Sequence, residues 1–184
     1  MGAKFELAIP IIMKHEGGWV NDSADLGKET NFGWSTLTIK RLKLTEADLG
    51  IPGPMFVDGY LKPMKKEKAE ELYRKYFWDN LGYSNVNDQK VSVKLMDSAV
   101  NMGPKRAAEF AQRACNTLGA NPQLTVDGSL GPKSFAAINA CDPQKFVNAF
   151  ADEMTAYYER IIKARPANAK FRRNWLKRAQ WGVV

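Results

Sequence analysis

Carboxylates are the side chains of this sequence that are best placed to do chemistry. The 184 residues contain 1 His and 2 Cys and lack a His-x-x-x-His or Cys-x-x-Cys pair, so an all-protein zinc site has too few ligands. A serine or cysteine nucleophile would have only His15 as its base, and no Gly-x-Ser-x-Gly or glycine-rich phosphate loop occurs. The sequence therefore predicts carboxylate chemistry, a polar binding function, or neither, without a metal or cofactor.

Glu16 is the carboxylate with the most specific setting. It ends a predicted apolar helix, where the helix dipole disfavours a negative charge, and Gly17, Gly18 and Trp19 follow it. A carboxylic acid kept protonated near neutral pH is the group with which a glycosidase protonates the departing sugar oxygen. An exposed helix-end glutamate without a function is the alternative, and position alone leaves both open.

The segment that follows alternates hydrogen-bonding groups with flat aromatic faces. Sugars require this mixture, because their hydroxyls bind amides and carboxylates while their C–H faces stack on aromatic rings. The same residues also suit a loop whose aromatic side chains are buried and whose Asx residues form turns, so both interpretations stay open for any single residue. The residues concerned are Trp19, Asn21, Asp22, Asp25, Glu29, Thr30, Asn31, Phe32 and Trp34.

The elements that must position these residues are predicted to be mainly α. Apolar residues at helical spacing form a first helix that ends near His15 at two glycines. Residues 17–35 are rich in turn-forming residues and predict a loop or a small irregular hairpin. Ser35 and Thr45 are predicted N-caps of two short helices, and Asp142 caps a helix further along the chain.

A predicted helix over 91–102 carries two polar residues on one face. Asp97 and Asn101 are four residues apart among apolar neighbours, so they share that face. If they are buried, they must find hydrogen-bond partners. We expect structural partners first and a contact with substrate as the alternative.

Four strings of residues, in order, resemble the glycoside hydrolase family 108 N-acetylmuramidases and their predicted peptidoglycan-binding region. Residues 15–33 contain Glu-Gly-Gly-Trp-Val-Asn-Asp and then Thr-Asn-Phe-Gly, similar to the family's opening signature. The others are Tyr-Arg-Lys-Tyr-Phe-Trp-Asp at 73–79, Asp-Ser-Ala-Val-Asn-Met-Gly at 97–103 and Asp-Gly-Ser-Leu-Gly-Pro-Lys-Ser at 127–134. The resemblance covers nearly the whole chain. Trp19, Lys28 and Trp34 depart from the family's usual Tyr, Gly and Ile.

The resemblance implies a peptidoglycan hydrolase of the lysozyme type, with Glu16 as the general acid. The bond cleaved would be the β-1,4 bond between N-acetylmuramic acid and N-acetylglucosamine. Asp25 is implied as the second carboxylate, because phage-type lysozymes place an aspartate nine residues after their acid; Asp22 and Glu29 are the alternatives. Contacts with substrate are expected from Trp19, Asn21, Thr30, Asn31, Trp34, Asp97 and Asn101. A non-catalytic peptidoglycan-binding protein and a lytic transglycosylase are the alternative functions.

The expected architecture is a mainly α, lysozyme-like helical globule with a small irregular hairpin after the first helix. Residues 1–95 would form a muramidase-like catalytic region. Residues 96–184 would form a helical, peptidoglycan-binding-like region, packed with the first as one globule. We expect a monomer.

The charge of the chain is concentrated at its end. The net charge is +7, of which residues 1–95 supply +1 (14 basic minus 13 acidic) and residues 96–184 supply +6 (13 minus 7). The last 25 residues hold 8 basic side chains and no acidic one. An anionic wall or membrane polymer is an expected partner of these helices, or the charge serves solubility alone. Nucleic acid is not expected, because residues 21–31 are carboxylate-rich and no recognition motif occurs.

Localisation is predicted from the lack of a targeting pattern. No apolar stretch is long enough to span a membrane, and residues 7–13 lack the flanks of a signal peptide. The expectation is a protein made in a reducing compartment, with Cys115 and Cys141 as thiols. It would stay in the cytoplasm until a holin-like pore releases it, as for a phage or prophage endolysin, or until another route exports it.

Overall fold

The computed structural model describes residues 2–21 and 29–182 and has a mainly α fold. The chain divides into two compact units, an N-terminal unit (Phe5–Asn80) and a C-terminal unit (Met1–Lys4 with Leu81–Val184). The division lies at residues 80 and 81, earlier than the boundary at 95 expected from sequence. The helix that carries Asp97 spans Gln89–Met102, so it runs across the expected boundary, and it packs against helices of the C-terminal unit.

The N-terminal unit contains a first helix, a small sheet and three further helices. In chain order these are α1 (Phe5–His15), β1 (Val20–Asn21), β2 (Glu29–Asn31), β3 (Trp34–Ser35), α2 (Thr36–Leu42), α3 (Glu46–Leu49) and α4 (Lys66–Tyr73), which a π-helical turn (Arg74–Asp79) continues. The strands are antiparallel in the order β1-β2-β3. The predicted small hairpin after the first helix is confirmed.

Capping side chains begin two of these helices at the residues that the sequence predicts. The Ser35 side chain accepts a hydrogen bond from the amide of Thr38 and begins α2. Thr45 and Asp48 form a reciprocal capping box at the start of α3. These contacts lie within a few residues of each other, so a local pattern suffices to predict them.

The C-terminal unit is built from five helices among its described residues. They are α5 (Gln89–Met102), α6 (Pro104–Thr117), α7 (Pro132–Ala140), α8 (Pro143–Ala164) and α9 (Arg172–Ala179), with 3-10 turns at Tyr83–Asn85 and Pro166–Phe171. Its core is apolar where α6 and α8 meet, with Phe110 packed edge-on against Phe150 at 5.9 Å. Proline opens α6, α7 and α8, which suits a position whose amide has no helical partner.

Buried charges fasten α9 onto α5. Arg178 donates two hydrogen bonds to the buried carboxylate of Asp97, at 3.0 and 2.9 Å. The buried Lys94 ammonium donates to the carbonyls of Ala179 and Trp181, and burial lowers the pKa of Lys94 to about 8. Part of the basic C-terminal charge therefore holds the fold together.

The two cysteines are both free thiols on neighbouring parts of the C-terminal unit. Cys115 on α6 is buried and Cys141, just after α7, is half-buried. Burial raises the pKa of Cys115 to about 12, and a hydrogen bond with Cys141 acts in the same direction. None of the helices in residues 2–21 and 29–182 is long and apolar enough to cross a membrane.

Candidate active site

Glu16 lies where α1 ends, with its side chain half-buried. Its amide donates to the carbonyl of Ile12 at 3.2 Å, so the last turn of the helix still fixes its backbone. The next residues, Gly17 and Gly18, are exposed and have nothing within 4 Å of the place a Cβ would take. A carboxylate at this point is held by the helix on one side and open on the other.

The turn between β2 and β3 approaches the Glu16 carboxylate closely. Phe32 and Gly33 both have positive φ, 47° and 80°, as a tight two-residue hairpin turn requires. A Cβ on Gly33 would lie 2.7 Å from Oε2 of Glu16 and 2.2 Å from the hydroxyl of Tyr73. Glycine is therefore required here both by the backbone conformation and by the two side chains beside it.

Tyr73 completes this arrangement from α4. Its hydroxyl donates to the carbonyl of Phe32 at 3.0 Å, across 41 residues of sequence. Tyr73 thereby holds the turn in place beside Glu16. Position 73 belongs to one of the strings that resemble family 108, but the sequence offers no signal that its hydroxyl reaches the turn beside Glu16.

Trp34 is the aromatic support of this site and lies in the core. It is only 1% exposed and packs against Tyr73 at 5.1 Å and Phe77 at 5.9 Å between ring centroids. The prediction that Trp34 contacts substrate does not fit this position, because the ring has no exposed face for a sugar. Trp34 instead packs in the core against the ring of Tyr73.

Glu29 and Asn31 also point inward, and both hold the segment that precedes α4. Glu29 is 4% exposed, and its Oε1 accepts hydrogen bonds from the Trp19 indole at 2.7 Å and the Leu61 amide at 2.6 Å. The Asn31 amide group donates to the Leu61 carbonyl at 2.8 Å. These contacts assign a structural role to both residues, which does not fit the predicted substrate contact of Asn31 or the alternative of Glu29 as a catalytic carboxylate.

Other predicted residues lie on the surface of the unit. Trp19 is 38% exposed, with the Lys62 ammonium 5.2 Å from its ring centroid. Asn21 is exposed and donates to the carboxylate of Asp58, while Thr30 is half-buried on the middle strand. These three residues are accessible enough to contact a ligand.

The sequence did not predict a contribution from the connection between α3 and α4. In this segment Phe56 is 48% exposed, has a φ of 65° and lies 4.7 Å below the Lys40 ammonium. Asp58 reaches Asn21 from the same segment. An exposed aromatic ring and an acceptor therefore lie on a segment in which the sequence predicted no site residue.

Asp25, the predicted second carboxylate, and Asp22, one of its two alternatives, lie outside the described residues. In residues 2–21 and 29–182, no group of three or more His, Cys, Asp or Glu side chains is arranged to hold a metal ion.

Asp97 and Asn101 have partners within the C-terminal unit. The Asp97 carboxylate binds Arg178, and the Asn101 side-chain oxygen accepts from the Tyr158 hydroxyl at 2.8 Å. For Asp97, burial and the ion pair agree with structural satisfaction, the interpretation that the helix pattern favoured. A contact between substrate and the buried Asp97 carboxylate does not fit this arrangement.

Comparisons with known proteins also divide the chain into two parts, between residues 103 and 106. A family model described as Glycosyl hydrolase 108 matches residues 9–103, and one described as Predicted Peptidoglycan domain matches residues 106–180. The solved structure of SagA from Brucella abortus is 24% identical and has a TM-score of 0.75, covering 97% of this chain and 90% of that chain. That likeness shows a shared fold. None of the curated proteins matches the sequence.

Proposed function

The chain belongs to the glycosyl hydrolase 108 family, and we propose that it is an N-acetylmuramidase with Glu16 as its general acid. The family and the peptidoglycan domain together make it a glycoside hydrolase that acts on the peptidoglycan of the cell wall. The proposal adds the bond, the β-1,4 link between N-acetylmuramic acid and N-acetylglucosamine, and the residue that protonates it.

The observation that carries the proposal is that the Glu16 carboxylate and the Tyr73 hydroxyl both lie against the turn at Gly33. A glycosidase acid must hold its proton at a fixed point beside the glycosidic oxygen. The end of α1 fixes the Glu16 backbone, and the turn limits where its side chain can go. Tyr73 is a positioning residue, because its hydroxyl donates to the turn.

In the proposed reaction, the proton of Glu16 passes to the glycosidic oxygen as the bond from that oxygen to C1 of N-acetylmuramic acid breaks. Water adds to C1 and gives a proton to a carboxylate of the pair, which leaves a new reducing end. Asp25, or as the alternative Asp22, would stabilise the positive charge at C1 or orient the water. Trp19, Asn21 and Thr30 would contact the sugars from the accessible surface of the unit.

The test of the acid is Glu16→Gln, assayed by the release of reducing ends from purified peptidoglycan. We expect a loss on the order of a hundredfold or more, because the amide cannot supply the proton. Glu67→Gln is the matched control, since Glu67 is an exposed glutamate in the same unit, at the first turn of α4. Full activity of Glu16→Gln, with a normal fold, would contradict the assignment.

The second carboxylate is tested by comparing Asp25→Asn with Asp22→Asn in the same assay. Asp25→Asn should lose most of the activity and Asp22→Asn should keep it. The reverse result would transfer the role to Asp22. If both variants are as active as the wild type, neither Asp25 nor Asp22 takes part in the reaction.

Anionic polymers of the wall are the proposed partners of the basic helices at the chain's end. Arg178 is engaged with Asp97 and Arg172 with Glu159, whereas Lys163 and Lys177 are exposed. The exposed charges would hold the chain near its substrate. Access to the wall through a holin-like pore, or by a route independent of a signal peptide, belongs to the same proposal.

A further inference from the structure

A groove of about 1060 Å³ opens on the C-terminal unit, and no residue of the Glu16 site lines it. Its walls are the loop that follows α6, one side of α7 and the first turn of α8. We call it the α7 groove. Residues that line it include Leu118, Asn121, Gln123, Lys133, Ala137 and Lys145.

Two side chains of α6 hold the loop wall in a fixed shape. Asn116 exchanges two hydrogen bonds with the backbone of Leu124, at 2.9 and 2.7 Å. The buried Gln112 donates to Asp127 at 2.7 Å and to the Ser129 carbonyl at 2.9 Å, and it accepts from the Gly128 amide at 3.0 Å. The wall is thus preorganised, which lowers the cost of ordering it around a ligand.

The side of α7 that faces the groove is made of small residues. Ala136, Ala137 and Ala140 line it, so an extended chain has room to lie along the helix. The residues that line the groove include no Phe, Tyr or Trp. Sugars bind best where aromatic rings receive their C–H faces, so the lining favours a peptide over a glycan.

The groove carries two aspartates that accept hydrogen bonds from the chain and two lysines without an ion-pair partner among the described residues. Asp127 accepts from Gln112 and from the Ser129 amide, and Asp142 accepts from the amide of Lys145 at 2.9 Å. The ammonium groups of Lys133 and Lys145 are exposed and have no ion-pair partner among the described residues. Two ammonium groups that lack such a partner can each pair with a carboxylate of a ligand.

We propose that the α7 groove binds the peptide stem of peptidoglycan, with Lys133 and Lys145 receiving its free carboxylates. The inference rests on the proposed function, since peptidoglycan is the substrate from which the stem comes. The backbone of residues 118–125 would hydrogen-bond the peptide along its length. The C-terminal unit would then recognise the cross-linking part of the polymer, while the N-terminal unit acts on the glycan.

The test is an NMR titration of the full chain, carrying Glu16→Gln so that no substrate is consumed. The probes are a free stem tetrapeptide, the same peptide with its carboxylates amidated, and a peptide-free oligosaccharide of N-acetylglucosamine. We expect the tetrapeptide to shift the amide signals of residues 118–125 and 133–145, and the amidated peptide to bind about tenfold more weakly.

Two pairs of variants locate the site. K133Q/K145Q should weaken tetrapeptide binding about tenfold, whereas K4Q/K65Q, which removes the same charge from exposed lysines outside the groove, should leave it unchanged. Ala136→Trp should block the groove, whereas Ala164→Trp, at an exposed position at the end of α8, should not.

Equal binding by K133Q/K145Q and the parent chain would overturn the proposal, as would shifts confined to residues outside the groove. The absence of tetrapeptide binding at millimolar concentration would overturn it as well. These results are distinguishable from a failure of the proposed function, which is judged by Glu16-dependent release of reducing ends. Hydrolysis can persist while the groove stays empty, and the groove can bind while hydrolysis fails.

Discussion

Buried polar side chains hold loops in the N-terminal unit and helices in the C-terminal unit. In the first, Glu29 and Asn31 pin the backbone of Leu61, and Tyr73 pins the turn at Phe32. In the second, Asp97 and Lys94 fasten α9 to α5. In the N-terminal unit, which is proposed to do the chemistry, buried polar side chains fix irregular backbone. In the C-terminal unit, which is proposed to bind, they join helices into a rigid frame.

The accessible surfaces differ in the same way. The N-terminal unit exposes Trp19 and Phe56, rings of the kind that receive sugar faces, beside the acceptor Asp58. The α7 groove of the C-terminal unit is lined by alanines and lysines without a ring. This difference is the one that the two proposals require, with the glycan as the ligand of one unit and the peptide stem as the ligand of the other.

The largest effect is expected where the frame of the C-terminal unit loses a charge. Arg178→Ala leaves the Asp97 carboxylate buried without its ion pair, which should lower the free energy of unfolding by about 3–5 kcal/mol in urea titrations. Arg172→Ala breaks an exposed ion pair with Glu159 and should lower the free energy of unfolding far less. The double variant Asp97→Leu/Arg178→Met should recover much of the loss. An equal loss of stability in Arg178→Ala and Arg172→Ala would contradict the role of the buried ion pair in the frame of the C-terminal unit.

The next effect is expected at the turn beside the acid. Gly33→Ala places a methyl group against Glu16 and Tyr73, so hydrolysis of peptidoglycan should fall on the order of a hundredfold. Gly59→Ala is the control for backbone strain, because Gly59 also has a positive φ, 76°, but has nothing within 4 Å of its Cβ position. Similar activity of the two variants would show that the close approach to Glu16 is unimportant.

A smaller effect is expected from the hydroxyl that holds the turn. Tyr73→Phe removes the donor to the Phe32 carbonyl, which should cost about 1 kcal/mol in stability. Its kcat should fall several-fold while KM changes little, because Tyr73 positions the acid and is not proposed to bind substrate. Tyr60→Phe, which removes a hydrogen bond to Thr36 in the same unit, should leave kcat unchanged. A change in KM alone would contradict the positioning role.

The smallest effect concerns the thiol inside the C-terminal unit. The pKa of Cys115 is raised from its ordinary value of 9.0 to about 12 by burial, so the folded chain keeps a proton that the unfolded chain loses. The stability that this proton contributes is complete below pH 9 and is lost as the pH rises towards 12. The stability of the wild type relative to Cys115→Ala should therefore fall by on the order of 1 kcal/mol between pH 8 and 10.5. A constant difference would contradict the burial of the thiol.

Local signals explain what the sequence could predict of this molecule. Ser35, Thr45 and Asp142 cap helices through contacts no more than three residues away, so the residue pattern contains all the information needed. The placement of Glu16 at the end of α1 follows from the same kind of signal, an apolar helix followed by two glycines.

Contacts between residues that are distant in the sequence explain which features the sequence could not predict. Whether Asn31 and Trp34 face a ligand or the core depends on Leu61 and Tyr73, which lie 30 or more residues further along the chain. The use of Arg178 as an internal partner depends on Asp97, 81 residues away. A periodic pattern identifies such residues as polar or aromatic, but only the packed structure shows what they touch.

The most direct measurement is mass spectrometry of the fragments that the wild-type chain and Glu16→Gln release from purified peptidoglycan. The wild type should yield fragments that end in reducing N-acetylmuramic acid, and Glu16→Gln should yield almost none. Fragments that end in anhydro-muramic acid would identify a transglycosylase, and reducing N-acetylglucosamine would identify a different bond. Either product, or equal digestion by Glu16→Gln, would contradict the account.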